Sequence, residues 1–265
     1  MSAALYELFA VRYGTRDALR SSHFLGGDPH DGPMAMDYYV WVAVGPERTV
    51  VIDTGFTAED AAARKRTFIC CPIDALSELR IDPADVTDVI LTHLHYDHAG
   101  NYVKFPQATF HLQDKEMEFA TGRFMGYPKS AHSYDADDIA ALVHLNFAGR
   151  LRFHDGEGGI VPGITVHRIG GHTPGMQCVC VPTERGVVVV ASDTSHFYEN
   201  FVSYRPYVNV INQAEMLDGY RTLRRLADSL DHIVPGHDPL VMSKYPAMSK
   251  ATDGLIVRLN ARPKG

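Results

Sequence analysis

The sequence predicts an α/β sandwich. Short apolar runs of strand length, such as residues 49–52 and 86–91, alternate in the first half with helix-like stretches and polar loops. From residue 151 onward the pattern becomes β-rich, with Gly-Gly and Pro-Gly turns between the runs. A chain of 265 residues with 45% hydrophobic content can bury one large multi-layer core without disulfide staples. We read residues 1–265 as one domain with two pseudo-halves, about 1–130 and 131–265.

Taken in order, residues 6–12 alternate enough for a first strand. Residues 20–36 then supply Gly26, Gly27, Asp28, Pro29, Asp31, Gly32 and Pro33, which mark a loop. Its His23 and His30 read as solvated, whereas the adaptable thioethers of Met34 and Met36 suit an apolar lip over a site. Residues 38–44 resume as strand. A buried strand at 49–52 ends in Asp53-Thr54-Gly55, where the glycine can take positive φ. Asp53 either caps the next turn or, as we prefer, accepts the outer ring N–H of a metal-bound histidine.

Residues 58–71 read as a helix, 72–80 as a further helical turn or two, and 86–91 as a strand. Directly after that strand comes Thr92-His93-Leu94-His95-Tyr96-Asp97-His98-Ala99-Gly100, with three imidazoles and a carboxylate inside six residues. Neutral imidazole is the commonest metal ligand, and four such donors this close need a cation to offset their misplaced polarity. A strand at 108–112 and a helix at 113–120 follow, and then a connection at 122–134 broken by Gly126 and Pro128. Phe124, Tyr127 and Tyr134 in that connection either border the site or simply pack.

In the second half, strands are expected at 151–153, 164–169, 177–181, 187–191 and 232–235, with a long amphipathic helix at 212–230. His172, Asp193 and His237 sit in turns at the ends of these strands. Alone, His172 or His237 would read as a hydrogen-bonded structural histidine; with His93, His95, Asp97 and His98 they complete a constellation on loops held by a rigid scaffold. The four cysteines, Cys70, Cys71, Cys178 and Cys180, read as reduced and structural.

The formal charge of -7 argues against a nucleic-acid channel. The N-terminus has no basic region ahead of its short apolar stretch, and no run reaches the ~20 apolar residues of a membrane span. The expectation is a cytoplasmic protein acting on a small molecule, with neither nucleic acid nor membrane as partner and a homodimer left open.

The H-x-H-x-D-H segment, followed by a distant His, an Asp and a final His, resembles the hallmark of the metallo-β-lactamase superfamily, and the resemblance runs from Asp53-Thr54-Gly55 to Gly236-His237. It implies a four-layer αβ/βα sandwich of two mixed sheets with a dinuclear centre between them. It also implies that His93, His95 and His172 hold one divalent metal ion, that Asp97, His98 and His237 hold another, most simply zinc, and that Asp193 bridges the two. Attack by a metal-bridging hydroxide is then expected, with Asp97 orienting it and passing a proton to the leaving oxygen.

Asp193 stands where the zinc β-lactamases usually carry cysteine, which argues against antibiotic hydrolysis. The chain is more similar to the quorum-quenching N-acyl-homoserine lactonases, and this implies opening of a lactone. Those enzymes usually place a tyrosine three residues after the bridging aspartate, whereas this chain has His196 there and Tyr198 two residues later. His196 and Tyr198 are therefore the candidate contacts to the substrate carbonyl. The alternatives are a glyoxalase-II-like thioesterase, which would want the C-terminal cations Lys244, Lys250, Arg258, Arg262 and Lys264 gathered as a patch, and a non-catalytic metal- or ligand-binding homologue.

Overall fold

A computed structural model describes residues 4–264. Its first sheet contains β1 (Glu7–Arg16), β2 (Met36–Val44), β3 (Thr49–Ile52), β4 (Thr67–Phe68), β5 (Asp88–Ile90), β6 (Thr109–Gln113) and β7 (Leu151–His154). The second contains β8 (Glu157–Val161), β9 (Ile164–Arg168), β10 (Gln177–Thr183), β11 (Gly186–Ser192) and β12 (Ile233–Pro235), after which β13 (Ile256–Arg258) returns to the first. The eight-stranded sheet runs β13-β1-β2-β3-β5-β6-β7, with β4 on β1, and the five-stranded sheet runs β12-β11-β10-β9-β8. Both are mixed, since β3, β5, β6 and β7 pair in parallel, as do β11 and β12, while the other pairs are antiparallel.

Strand periodicity places the core. Along β2, Tyr39, Trp41 and Ala43 turn inward and meet Val166, Val179, Val181 and Val190 of the second sheet. The intervening Tyr38, Val40 and Val42 turn outward to an apolar layer shared with Leu76, Ile139 and Leu142 of the covering helices. On the far side, Cys178, Cys180 and Val189 pack on Met216, Tyr220 and Leu223. The result is a helix–sheet–sheet–helix stack, with the valine-rich β10 and β11 buried on both faces. Each fully buried valine contributes about 1.5–3 kcal/mol relative to exposure.

The predicted helix over 58–71 is shorter, at Ala58–Ala63. Thr57 and Asp60 form a capping box at its start, and Lys65 takes φ 55° just past its end. Thr67–Phe68 is instead strand, because pairing with Gly14 and Thr15 of β1 supplies ladder hydrogen bonds to the β-branched stretch that follows the alanines. Residues 136–147, unassigned from sequence, form the helix Ala136–Phe147, with Asp135 accepting from the N–H groups of Asp137 and Asp138. Strands β8 and β13 and the helices Tyr198–Ser203 and Leu240–Lys244 were likewise not anticipated. Strand β8 carries Gly158-Gly159 in place of an alternating pattern, and β13 is set by pairing with a strand more than 240 residues away. Among the described residues, no helix is long and apolar enough to cross a membrane.

Candidate metal centre

The donors leave the ends of five chain segments at one rim of the sandwich. Strand β5 leads into Thr92-His93-Leu94-His95, and the helix Tyr96–Ala99 presents Asp97 and His98. The loop after β9 brings His172, and His237 follows β12. Asp193 follows a register shift between Val190 and Ser192, where Ser192 takes φ 44°. A bulge of this kind re-aims the next side chain.

Two sets of inward-facing atoms result. His95 Nδ1 lies 3.0 Å from both His93 Nε2 and His172 Nε2. Asp97 Oδ2 lies 3.7 Å from His98 Nε2 and 3.9 Å from His237 Nε2. Between the sets stands Asp193. Its Oδ2 is 3.3 Å from His172 Nε2 and 4.0 Å from His93 Nε2. Its Oδ1 is 2.9 Å from His237 Nε2 and 3.5 Å from His98 Nε2.

These donors fit two divalent cations. A ring nitrogen offers either one N–H or one lone pair, so His95 Nδ1 can hydrogen-bond only one of its two imidazole neighbours. The adjacent ligands of a tetrahedral zinc with nitrogens at about 2.0–2.1 Å would stand ~3.3 Å apart, close to the observed spacing. In the second set, His98 Nε2, His237 Nε2 and Asp193 Oδ1 are buried with no hydrogen-bond partner among the described residues. Orphaned polar atoms of this kind call for an ion.

The outer sides of the rings are tethered. His98 Nδ1 lies 2.8 Å from Asp53 Oδ2, His172 Nδ1 2.7 Å from the Asn209 carbonyl, and His237 Nδ1 2.8 Å from the Asp37 carbonyl. Each contact fixes a proton on Nδ1 and leaves the Nε2 lone pair facing inward. Asp53 sits at φ 63° and also accepts from Thr92 N at 2.7 Å and Thr92 Oγ1 at 2.8 Å. It thereby joins the end of β3 to the start of the histidine segment. Asn101 Nδ2 donates to the carbonyls of Thr54, Gly55 and Phe56, locking the same two loops together.

Glu116 has the same function between the halves of the donor array, and sequence reasoning missed it. Fully buried, it accepts from Leu94 N at 3.0 Å, Thr173 Oγ1 at 2.5 Å, Gly175 N at 3.1 Å and Tyr134 Oη at 3.1 Å. One carboxylate thus stitches the loop holding His93 and His95 to the loop holding His172. Burial raises its pKa despite these donors.

Burial holds His93 and His95 well below the ordinary imidazole range and lowers His172, so that the first set presents neutral rings, as metal binding requires. For His98 burial also acts downward, but Asp53, Asp97 and Asp193 outweigh it and the ring is raised to about 10. Burial pushes Asp193 up, while His237, His196 and His98 hold it well below the carboxylate range.

A pocket of about 180 Å³ opens over these groups, lined among others by Arg16, His23, Met36, Tyr38, Arg66 and His132. His196 is in its wall, with Nε2 2.9 Å from Asp193 Oδ2 and its ring stacked on Tyr207 at 3.5 Å between centroids. Burial lowers the His196 ring to about 3. The Tyr207 hydroxyl donates to the Asp193 carbonyl, a tie the sequence did not signal. Tyr198 lies elsewhere: its ring packs on Phe201 and under Lys244, beside a separate cavity shared with Tyr245.

Met36 lines the pocket, whereas the Met34 sulfur sits 3.8 Å from an Arg20 guanidinium nitrogen. His23, expected to be solvated, is 2% exposed in the pocket wall, with Nε2 2.8 Å from the Met34 carbonyl. Tyr134 meets the His95 ring edge-on at 4.7 Å, while Phe124 and Tyr127 are exposed outside the lining.

The fold and this donor array define a class. Residues 35–241 match the family model described as the metallo-beta-lactamase superfamily, and the chain belongs to that family. Among its relatives, an N-acyl homoserine lactonase of a Bacillus species is 27% identical over 167 residues, which cover 63% of this chain and 61% of the relative. Another N-acyl homoserine lactonase, from Bacillus thuringiensis, is 31% identical over 136 residues, covering 51% of this chain and 49% of the relative. The chain thus spans about half to three fifths of the length of these relatives. A solved quorum-quenching N-acyl homoserine lactone lactonase superposes with a TM-score of 0.75 at 23% identity, over 90% of this chain and 94% of that one, a likeness of fold.

Proposed function

We propose that this protein is a dinuclear metal-dependent hydrolase that opens a lactone, a cyclic ester, with the N-acyl-homoserine lactones named for its relatives among the substrates to test. The carrying observation is Asp193, whose two carboxylate oxygens face two separate sets of inward-pointing nitrogens. His93, His95 and His172 would hold one ion, Asp97, His98 and His237 the other, and Asp193 would be shared. Zinc suits these nitrogen and oxygen donors. Two such ions supply a polarised ester carbonyl and a water whose pKa falls to about 7.

The chain's own residues then have distinct tasks. Asp97, 7% exposed at the base of the pocket, is the group that orients the water and carries a proton to the leaving ring oxygen. His196 steadies Asp193 through its Nε2 contact, in a stack with Tyr207. Tyr38 and Tyr96 are phenols that line the pocket, Tyr38 edge-on to His237 at 5.1 Å. A cytoplasmic location belongs to the same reading and is supported by four unpaired cysteines.

The thioesterase alternative has less support. Lys244 covers Tyr198, and Arg258 pairs with Glu7 at 2.7 Å, so these C-terminal cations are not gathered beside the donors. The test is a pH-stat assay of the zinc-loaded protein on γ-lactones, an N-acyl-homoserine lactone and an S-acyl-glutathione, with metal counted per chain. Two ions and preferential lactone opening are expected. At most one tightly held ion, or faster thioester turnover, overturns the proposal.

A further inference from the structure

Two guanidinium groups in the pocket wall have no carboxylate partner among the described residues: Arg16 from the end of β1 and Arg66 just ahead of β4. Of the other arginines nearby, Arg64 lies outside the lining and donates to the His132 and Tyr134 carbonyls, and the rest have carboxylate partners. Arg12 pairs with Asp37 at 3.4 Å, Arg20 with Asp28 at 2.7 Å and Glu199 at 2.6 Å, and Arg205 with Asp28 at 2.8 Å. Arg16 Nε is buried without a hydrogen-bond partner among the described residues. Arg66 donates from Nε to Tyr96 Oη at 3.0 Å and from Nη1 to the Arg64 carbonyl at 2.8 Å, neither of which answers its charge. Both line the same pocket as the Tyr38 phenol.

An unanswered charged donor in a pocket wall is destabilising unless something else meets it. The site's aspartates do not, because the three negative charges of Asp53, Asp97 and Asp193, with that of the hydroxide, would already be matched by the four positive charges of two divalent ions. The two arginines therefore add positive charge that the loaded centre would leave unmatched. Guanidinium matches carboxylate geometry bidentately. The pocket's 180 Å³ is below the ~300–1,000 Å³ of common ligand sites, which favours a compact molecule.

We infer that the substrate is a compact lactone or ester bearing its own carboxylate, which Arg16 and Arg66 hold while the scissile carbonyl lies over the donor sets; this rests on the hydrolase reading above. Ring opening adds one water across the acyl C–O bond, so that the product is an alcohol with two carboxylates and one proton is released.

The experiment compares kcat/KM of the zinc-loaded enzyme on 5-oxotetrahydrofuran-2-carboxylate and on the matching neutral carboxamide, in the wild type and in Arg16→Gln, Arg66→Gln and Arg16→Lys. The acid is expected to be preferred by about 10- to 100-fold at low salt, as charged hydrogen bonds of this kind support. Each glutamine variant should bring the ratio towards one, the lysine variant should recover part of it, and added salt should raise KM for the acid alone. Equal or better turnover of the carboxamide, or a preference that survives both glutamine variants, overturns the inference and leaves the hydrolase reading standing. Should the loaded enzyme open no lactone, that reading falls. Calorimetric binding of the ring-opened diacid then decides the arginine site by itself: loss of binding in both glutamine variants supports it, and no binding to the wild type overturns it.

Discussion

Replacing Asp53 with asparagine would test how the outer contacts of the rings control the metal site. Asparagine keeps the shape and tolerates the left-handed backbone at φ 63°. Its carbonyl oxygen can still accept from Thr92 N, now 2.7 Å from Oδ1. The amide nitrogen would then replace Oδ2, which lies 2.8 Å from His98 Nδ1. Two N–H groups cannot face each other at that distance, so His98 Nδ1 must become an acceptor and its proton must move to Nε2. That atom points at Asp97 and Asp193, 3.7 Å and 3.5 Å away, and in the new tautomer it has no lone pair for an ion.

Loss of an outer-shell partner of this kind costs about 10- to 100-fold in metal affinity, or about 1.4–2.7 kcal/mol. Competition with a chromophoric chelator, resolved into two constants, should show the Asp97/His98/His237 ion weakened by that factor and the His93/His95/His172 ion much less affected. Nitrogen NMR of His98 should report the tautomer change. Unchanged constants for both ions in a folded variant would falsify the argument, as would selective loss of the first ion.

Two further outcomes follow from contacts around the same rim, and a third from the helix Ala136–Phe147. At Gly171, φ is 85° and an added Cβ would stand 2.6 Å from Met216 N, so Gly171→Ala should destabilise by about 2–4 kcal/mol in denaturant titration. Tyr207→Phe keeps the ring stacked on His196 but removes the hydroxyl that donates to the Asp193 carbonyl, and a loss of about 1 kcal/mol is expected in the same measurement. Asp138 is raised from 3.8 to about 7 by burial and by Asp135, Asp60 and Asp137. A carboxyl whose folded pKa is raised binds protons better when folded, so its contribution to stability is full below about pH 4 and is lost as pH rises towards 7. Asp138→Asn should therefore raise Tm relative to wild type more at pH 8 than at pH 4, at equal metal loading, and an advantage that shrinks with pH would refute this.

Part of the site can be read locally. Thr92 to His98 follow an apolar strand, and each second-half donor sits at a turn after another apolar run, but singly His172 and His237 read as structural histidines and only the joint pattern, with its family resemblance, nominates them. The helix Ala136–Phe147, unassigned from sequence, does carry local signals, with Asp135 as its cap and Gly149 beyond its end. The β-branched character of residues 67–69 ends the preceding helix only because β1 offers them a partner, and no window of sequence contains that strand.

By itself, the sequence determined the donor types, their spacing and the strand ends that carry them, because alternation and turn residues act over a few positions. Only the tertiary structure decided that the two oxygens of Asp193 face different donor sets, that Glu116 ties Leu94 to Thr173, and that Tyr198 packs on Phe201 while His196 enters the pocket wall. It likewise decided that Arg16 and Arg66 line the pocket without a carboxylate partner among the described residues, while Arg12 and Arg20 find one. These outcomes depend on which distant segments the closing of two sheets brings within hydrogen-bond reach, and a charge or ring meets its partner across that closure rather than along the chain.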